Sequence, residues 1–231
     1  MPNLRAIYFH HADRYEDLIA CEDYRNTLIR AIGEIRTLED IDVVEFGAGT
    51  GRVTRLIAPL ARSIHAFDYS HPMLSVGYEK LEHLDLSNWS ISMGENRQMP
   101  VASNCADLTI EGWSFGHLPS WYPNGWQRQA ALALSEMERI LRPGGTMILI
   151  ETLGTGYEEP KRYETLSAFY RWLEDDQGFS SNWIRTDYRF KTVEQAVDLI
   201  RFFFGDELAD QIAEKQIKVV PECTGLWWRT V

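Results

Sequence analysis

The chain has 231 residues, 45% of them hydrophobic, with 23 Lys and Arg against 34 Asp and Glu for a net charge of -11. That length suits one α/β domain with a sizeable core, while so negative a surface repels phosphate backbones and anionic lipid and argues against nucleic acid or a membrane surface as partner. Three scattered cysteines without metal-ligand spacing, no apolar run of spanning length and no basic-then-apolar start fit a reduced cytoplasmic protein without a bound metal, a monomer or homodimer.

Residues 1 to about 40 carry Tyr8, Phe9, His10, His11, Tyr15 and Tyr24 on one or two predicted helices. From Ile41 to Glu151 strand and helix patterns alternate, as a parallel sheet with crossover helices requires. The first strand, Val43-Val44-Glu45-Phe46, runs into Gly47-Ala48-Gly49-Thr50-Gly51. Glycines at alternate positions let a tight turn bring its backbone close to a ligand. The dinucleotide fingerprint needs glycine where Arg52 stands, so NAD and FAD are disfavoured. A helical segment from Arg52 to Ala61 leads to a second strand, Ile64 to Asp68, that closes on an acid. Ser70 is expected to cap a helix with Pro72 in its first turn and Met73, Leu74 and Val76 on its apolar face.

Met93-Gly94-Glu95-Asn96-Arg97-Gln98-Met99-Pro100 comes next, and then a strand from Ala106 to Ile110 running into Glu111-Gly112-Trp113-Ser114. Ile140-Leu141-Arg142-Pro143-Gly144-Gly145-Thr146 reads as a helix end and a turn before the strand Met147 to Ile150. A helix from Pro160 to Glu174 is predicted behind a flexible Gly154-Thr155-Gly156 entry. Ile184 to Lys191 reads as a strand with Tyr188 and Phe190 on one face. Thr192 caps a helix from Val193 to Phe204 that stops at Gly205, a second helix spans Asp206 to Glu214, and a last strand passes through Val219-Val220 and Leu226-Trp227-Trp228.

Five of these elements, in this order, resemble the motifs of class I S-adenosylmethionine (SAM) dependent methyltransferases. Glu45 with Gly47-x-Gly49-x-Gly51 resembles motif I, and Ile140 to Thr146 holds the recurrent Leu-Arg-Pro-Gly-Gly element. The resemblance implies a Rossmann-like seven-stranded mixed sheet, its seventh strand antiparallel between the fifth and sixth, with helices on both faces. It divides one methyltransferase domain, 1–231, into an N-terminal helical lid (1–40), a SAM-binding core (41–151), a helical insertion (152–182) and a closing strand-helix-strand unit (183–231). By the same resemblance, Glu45, Gly47, Ala48, Gly49, Thr50 and Gly51 cradle the cofactor. Asp68 would take both ribose hydroxyls, since a carboxylate offers two oxygens to a cis-diol. Tyr69, Met73, Glu95 and Asn96 would meet the adenine, with Glu111 and Trp113 completing the cofactor set. Tyr8, His11, Tyr15 and Tyr24 from the lid, with Trp121, are expected to line the acceptor pocket.

Transfer from a sulfonium methyl is an in-line displacement in which positioning supplies much of the rate, so few catalytic side chains are needed. What an acceptor amine or hydroxyl needs is a base, and ligands of open α/β sheets bind beyond the carboxyl ends of the strands. His117 is the first candidate and Glu151, ending the fifth strand, the second, with His10 and His11 behind them. Trp113, Trp121, Tyr122 and Trp126 are candidate walls, and Glu111 and Glu151 together suggest a pocket for a neutral or cationic small metabolite. The expected function is O- or N-methylation of a small molecule, producing S-adenosylhomocysteine (SAH). Protein or nucleic-acid methylation and non-catalytic SAM or SAH binding stay open as alternatives.

Overall fold

In the computed structural model, which describes residues 3–161 and 163–231, a seven-stranded sheet runs through the middle of the molecule. Its strands are β1 (Asp42–Phe46), β2 (Ser63–Asp68), β3 (Trp89–Met93), β4 (Ala106–Gly112), β5 (Leu141–Thr155), β6 (Ser180–Arg185) and, last in the chain, β9 (Glu222–Thr230). Across the sheet the order is β3-β2-β1-β4-β5-β9-β6. The first five strands of that row are parallel, and β9 is antiparallel to both β5 and β6. A strand buried on both faces feeds side chains alternately into two cores, which explains the unbroken apolar run in β1. Val44 and Phe46 enter the core covered by the helices α7 (Trp126–Ile140) and α8 (Glu164–Arg171), and Val43 enters the opposite one with Ile148 and Ile150 of β5. Helix α7 earns its place by spacing: Trp126, Ala130, Ala133, Leu134, Met137 and Ile140 recur every three or four residues and are all buried.

The N-terminal segment holds three helices, α1 (Leu4–His10), α2 (Ala12–Ile19) and α3 (Thr27–Ile35), and they divide by function. Helix α3 is part of the sheet's packing, with Leu28 and Ile32 in the second core beside Val53 and Ile57 of α4 (Arg52–Ile57). Only α1 and α2 lie over the site, against α5 (His71–Glu82).

The remaining departures from the sequence reading have local causes. The strand expected at Met147 to Ile150 is far longer, because residues 142–145 bulge out of the β4 ladder between the pairs Ala106 with Leu141 and Leu108 with Thr146. Backbone bonds between this bulge and Val231 hold it in place. The Gly154-Thr155-Gly156 stretch is no flexible entry: Thr155 pairs with Glu222, and Gly156 N donates to Pro221 O at 2.7 Å. Among the described residues, helix in the insertion is limited to α8 and a π-type turn, Trp172–Asp176, and Arg162 of the expected helix lies outside them.

The strand expected at Ile184 to Lys191 breaks after Arg185, because Asp187 Oδ1 accepts from Arg185 Nε and Glu222 N instead of extending a ladder. Tyr188–Arg189 then forms β7, paired with β8 (Val219–Val220) in a separate ribbon beside α9 (Val193–Phe204) and α10 (Asp206–Lys215). Pro221 carries no N–H and separates β8 from β9. Among the described residues, no helix is long and apolar enough to cross a membrane.

Candidate cofactor and acceptor site

Beyond the carboxyl ends of β1, β2 and β4 lies an open cavity of about 440 Å³. Its floor begins at the turn after β1. Gly47 has φ +63 and Gly49 φ +56, in the left-handed region where a side chain is strained. A Cβ at Gly47 would also collide with the Ser114 side chain, so two loops can meet here only over glycine. Asp68, ending β2, ties this turn to the next: Oδ2 accepts from Gly49 N at 2.9 Å and Oδ1 from Ser70 N at 2.7 Å. Burial raises the Asp68 pKa, and these backbone donors work against that rise. The carboxylate itself lines the cavity.

Gly47, Gly49, Asp68, Tyr69, Met73, Glu95, Asn96 and Trp113 all border this space, as do Tyr8, Tyr15, His117 and Trp121. Glu95 is held by Arg97, whose Nε donates to it at 2.7 Å, and Asn96 Nδ2 donates to Ser114 Oγ at 3.0 Å.

Several expected contacts, His10 among them, fall outside the cavity lining. Glu45 lies beneath the turn, where Thr54 Oγ1 donates to it at 2.6 Å and burial pushes its pKa up to about 8. Ala48 and Gly51 only close the turn, Gly51 N donating to Ala48 O, and the Thr50 hydroxyl is spent on Glu16 of α2 at 2.6 Å. Glu111 and Glu151 point under the loop after β4 and accept its backbone N–H groups. His11, at the break between α1 and α2, faces Phe202 edge-on at 5.9 Å, and Tyr24 packs under the Arg189 guanidinium at 3.5 Å. Trp126 is a core residue, packed on Phe169 and Trp172. Ser70 precedes α5 but does not cap it; its hydroxyl donates instead to Tyr8 O at 2.8 Å and pins α1 down.

His117 sits in a short 3-10 turn, Phe115–His117, before α6 (Leu118–Trp121). Its ring stacks on Trp121 with centroids 4.8 Å apart, and its Nε2 lies 2.9 Å from the Tyr8 hydroxyl. Burial lowers the imidazole pKa to about 4, so the ring is neutral at pH 7. Burial, helped by the negative charges of Glu151 and Asp68, raises the Tyr8 pKa and keeps its phenol protonated. The phenol therefore donates to Nε2 when the ring proton is on Nδ1.

Two ion pairs fasten α2 and its exit to the motif I helix: Arg55 with Glu16 and Arg52 with Glu22, each at 2.6 Å. Arg52 also lies 4.1 Å over the Trp113 ring, so one side chain joins the N-terminal segment to the end of β4. Sequence reasoning missed the cavity residues Arg5, Phe9, Arg97 and Ser114. Arg5 and Phe9 share the face of α1 that carries Tyr8, and that helical spacing was the available signal. Arg5 lies 4.7 Å over Trp121 and Arg97, paired with Glu95, 5.4 Å over Tyr122, so guanidinium groups border the cavity while Glu111 and Glu151, expected there, do not. Among the described residues no group of three or more His, Cys, Asp or Glu is placed to hold a metal ion.

Residues 44–149 match the family model of the methyltransferase domain. That match and the sheet order above give residues 44–149 a methyltransferase domain of the class I fold. The demethylmenaquinone methyltransferase of Staphylococcus aureus strain MRSA252 is 25% identical over 143 residues, which are 61% of this chain and 55% of that one. The shared stretch thus spans little more than half of that relative. A SAM-dependent methyltransferase from Aquifex aeolicus superposes with a TM-score of 0.61 at 14% identity, covering 94% of this chain and 98% of its own. The Haemonchus contortus phosphoethanolamine N-methyltransferase 2, solved with phosphomonomethylethanolamine and SAH, gives 0.59 at 14% identity, covering 95% of this chain and 57% of its own.

Proposed function

We propose that the protein transfers a methyl group from SAM to the nitrogen or oxygen of a small molecule bound in the same cavity. One observation carries this reading: Asp68, tied to the Gly49 amide, and the Tyr8 and His117 pair border one cavity. The residues fit the cofactor by their chemistry. Asp68 keeps lone pairs for a ribose diol after accepting two backbone N–H groups, and the bare Gly47 and Gly49 backbone admits a ligand at van der Waals distance. Met73 and Tyr69 offer apolar faces for an adenine, with Glu95 and Asn96 as its polar edge. When bound, SAM supplies an electrophilic methyl carbon.

The chain's own part is to hold, orient and deprotonate. Tyr8, Phe9 and Tyr15 line the cavity from α1 and α2. Trp121, stacked on His117, fixes the plane of the imidazole. A neutral imidazole of lowered pKa is a weak base, suited to an acceptor proton that is already acidified or leaves late, and the Tyr8 phenol relays it or orients the acceptor by hydrogen bonding. The relatives' acceptors, a demethylmenaquinone and phosphomonomethylethanolamine, are small molecules, which supports a small-molecule acceptor here. Incubating the protein with SAM and fractionated cell extract tests the reading by mass spectrometry. A low-mass compound should gain a methyl group with stoichiometric SAH, and methyl incorporation into macromolecules alone would contradict it.

A further inference from the structure

The two acids that miss the cavity lie together beneath it. Glu111, near the end of β4, and Glu151 of the neighbouring strand β5 both have buried side chains, close enough that each shifts the other's pKa. Above them passes the loop that carries His117. Ser114 N donates to Glu111 Oε2 at 3.0 Å, Phe115 N to the same oxygen at 3.2 Å, and Gly116 N to Glu151 Oε1. Three consecutive amides, ending one residue before His117, are thus held by two carboxyl groups. The approach is so close that a Cβ at position 116 would collide with the Glu151 carboxyl group, which accounts for the glycine there. Among the described residues no Arg, Lys or His forms an ion pair with either acid, and Glu111 Oε1 is buried without a hydrogen-bond partner.

Two buried carboxylates this close, with no cation between them, do not both ionise. The oxygen without a partner is where the retained proton belongs. We propose that Glu111 and Glu151 are positioning residues: a carboxyl pair sharing one proton that clamps the 114–116 backbone and so fixes His117 against Tyr8 and the acceptor. This rests on the reading of His117 as the proton acceptor. Burial raises both acids, in keeping with a pair that does not ionise fully at pH 7. The other titratable group near the pair is the Tyr8 phenol, which feels the Glu151 charge and stays protonated throughout the working range.

The test needs no acceptor. In labelled protein with SAH added, amide exchange at Ser114, Phe115 and Gly116 is followed together with the ring nitrogen shifts of His117. Glu151→Leu should lower Gly116 protection roughly 10- to 100-fold, the range for a lost bond to a charged group, and should give His117 a changed or averaged ring signal while SAH affinity stays within about threefold. Infrared difference spectra at pH 7 should show a protonated carboxyl band in the wild type that Glu111→Gln removes. Should Glu151→Leu fail to fold, the isosteric Glu111→Gln still reports on the shared proton. Unchanged Gly116 protection in Glu151→Leu, or no band lost in Glu111→Gln, overturns the clamp. Once an acceptor is known, Glu151→Leu should lower kcat about 100-fold with little change in KM, as misplacement of a reacting group does. If exchange and infrared agree but His117→Ala keeps full turnover, the clamp stands and the reading of His117 as base fails.

Discussion

The two ends of the cavity are built by different means. The cofactor end is backbone and short-range contacts: Gly47, Gly49 and Asp68 lie within 22 residues of one another and are held by amide-to-carboxylate bonds on the strand ends. The acceptor end is side chains drawn from distant segments: Tyr8 from α1 meets His117 across 109 residues, and Arg5 reaches Trp121. A backbone-built site tolerates variation around it, whereas a side-chain-built one changes with each substitution. The difference suits one donor shared among relatives and acceptors that differ.

Breaking the acceptor end should cost turnover and spare cofactor binding. His117→Ala is expected to lower turnover by about 10² to 10⁴ with SAH affinity unchanged, measured by steady-state kinetics and calorimetry. Arg52 joins the two ends, through Glu22 on one side and Trp113 on the other. Arg52→Met leaves Glu22 buried without its partner and should cost about 3–5 kcal/mol of stability, read from denaturant unfolding. A loss below about 1 kcal/mol would mean the N-terminal segment is not coupled to the motif I helix. Tyr8→Phe removes one hydroxyl and keeps the packing, so turnover should fall about 10-fold, the worth of one hydrogen bond.

The smallest expected effect concerns pH. Burial raises Glu45 to about 8, so its contribution to stability is fully present below the unfolded-state value near 4.3 and is lost as pH rises toward 8. Glu222, also raised to about 8 chiefly by burial, adds to the same slope. The melting temperature should therefore decline between about pH 5 and 8, and Glu45→Gln, which still accepts the Thr54 hydroxyl, should flatten part of that decline. An equally steep decline in the variant would place the ionisation elsewhere.

The glycine turn and Asp68 at one cavity were legible in the sequence because their determinants are local: alternate glycines after an apolar strand, and an acid closing the next strand. The sheet order and the antiparallel last strand also followed from the motif order. The acceptor end was legible only in part. His117, Tyr8, Tyr15 and Trp121 do meet, yet His11 and Tyr24 face away, because a break between helices and a loop decide direction there and neither has a period to read. Glu111 and Glu151 were placed correctly along the strands and wrongly in direction, since a strand end says where a residue lies and not whether its side chain goes above or below the following loop. The split of the closing segment at Asp187 and Pro221 turned on single hydrogen bonds, which alternation of apolar residues does not encode.

The account's central claim is that Asp68 and the glycine turn hold the cofactor while the acceptor end stays free to differ. Calorimetric titration of SAH into the wild type, Asp68→Ala and His117→Ala tests it most directly. The account predicts that Asp68→Ala weakens binding by about 2–4 kcal/mol, the worth of two charge-assisted hydrogen bonds, with the fold retained but the melting temperature lowered by loss of the Gly49 and Ser70 amide bonds, and with near-native affinity in His117→Ala. Near-native SAH affinity in Asp68→Ala would contradict it.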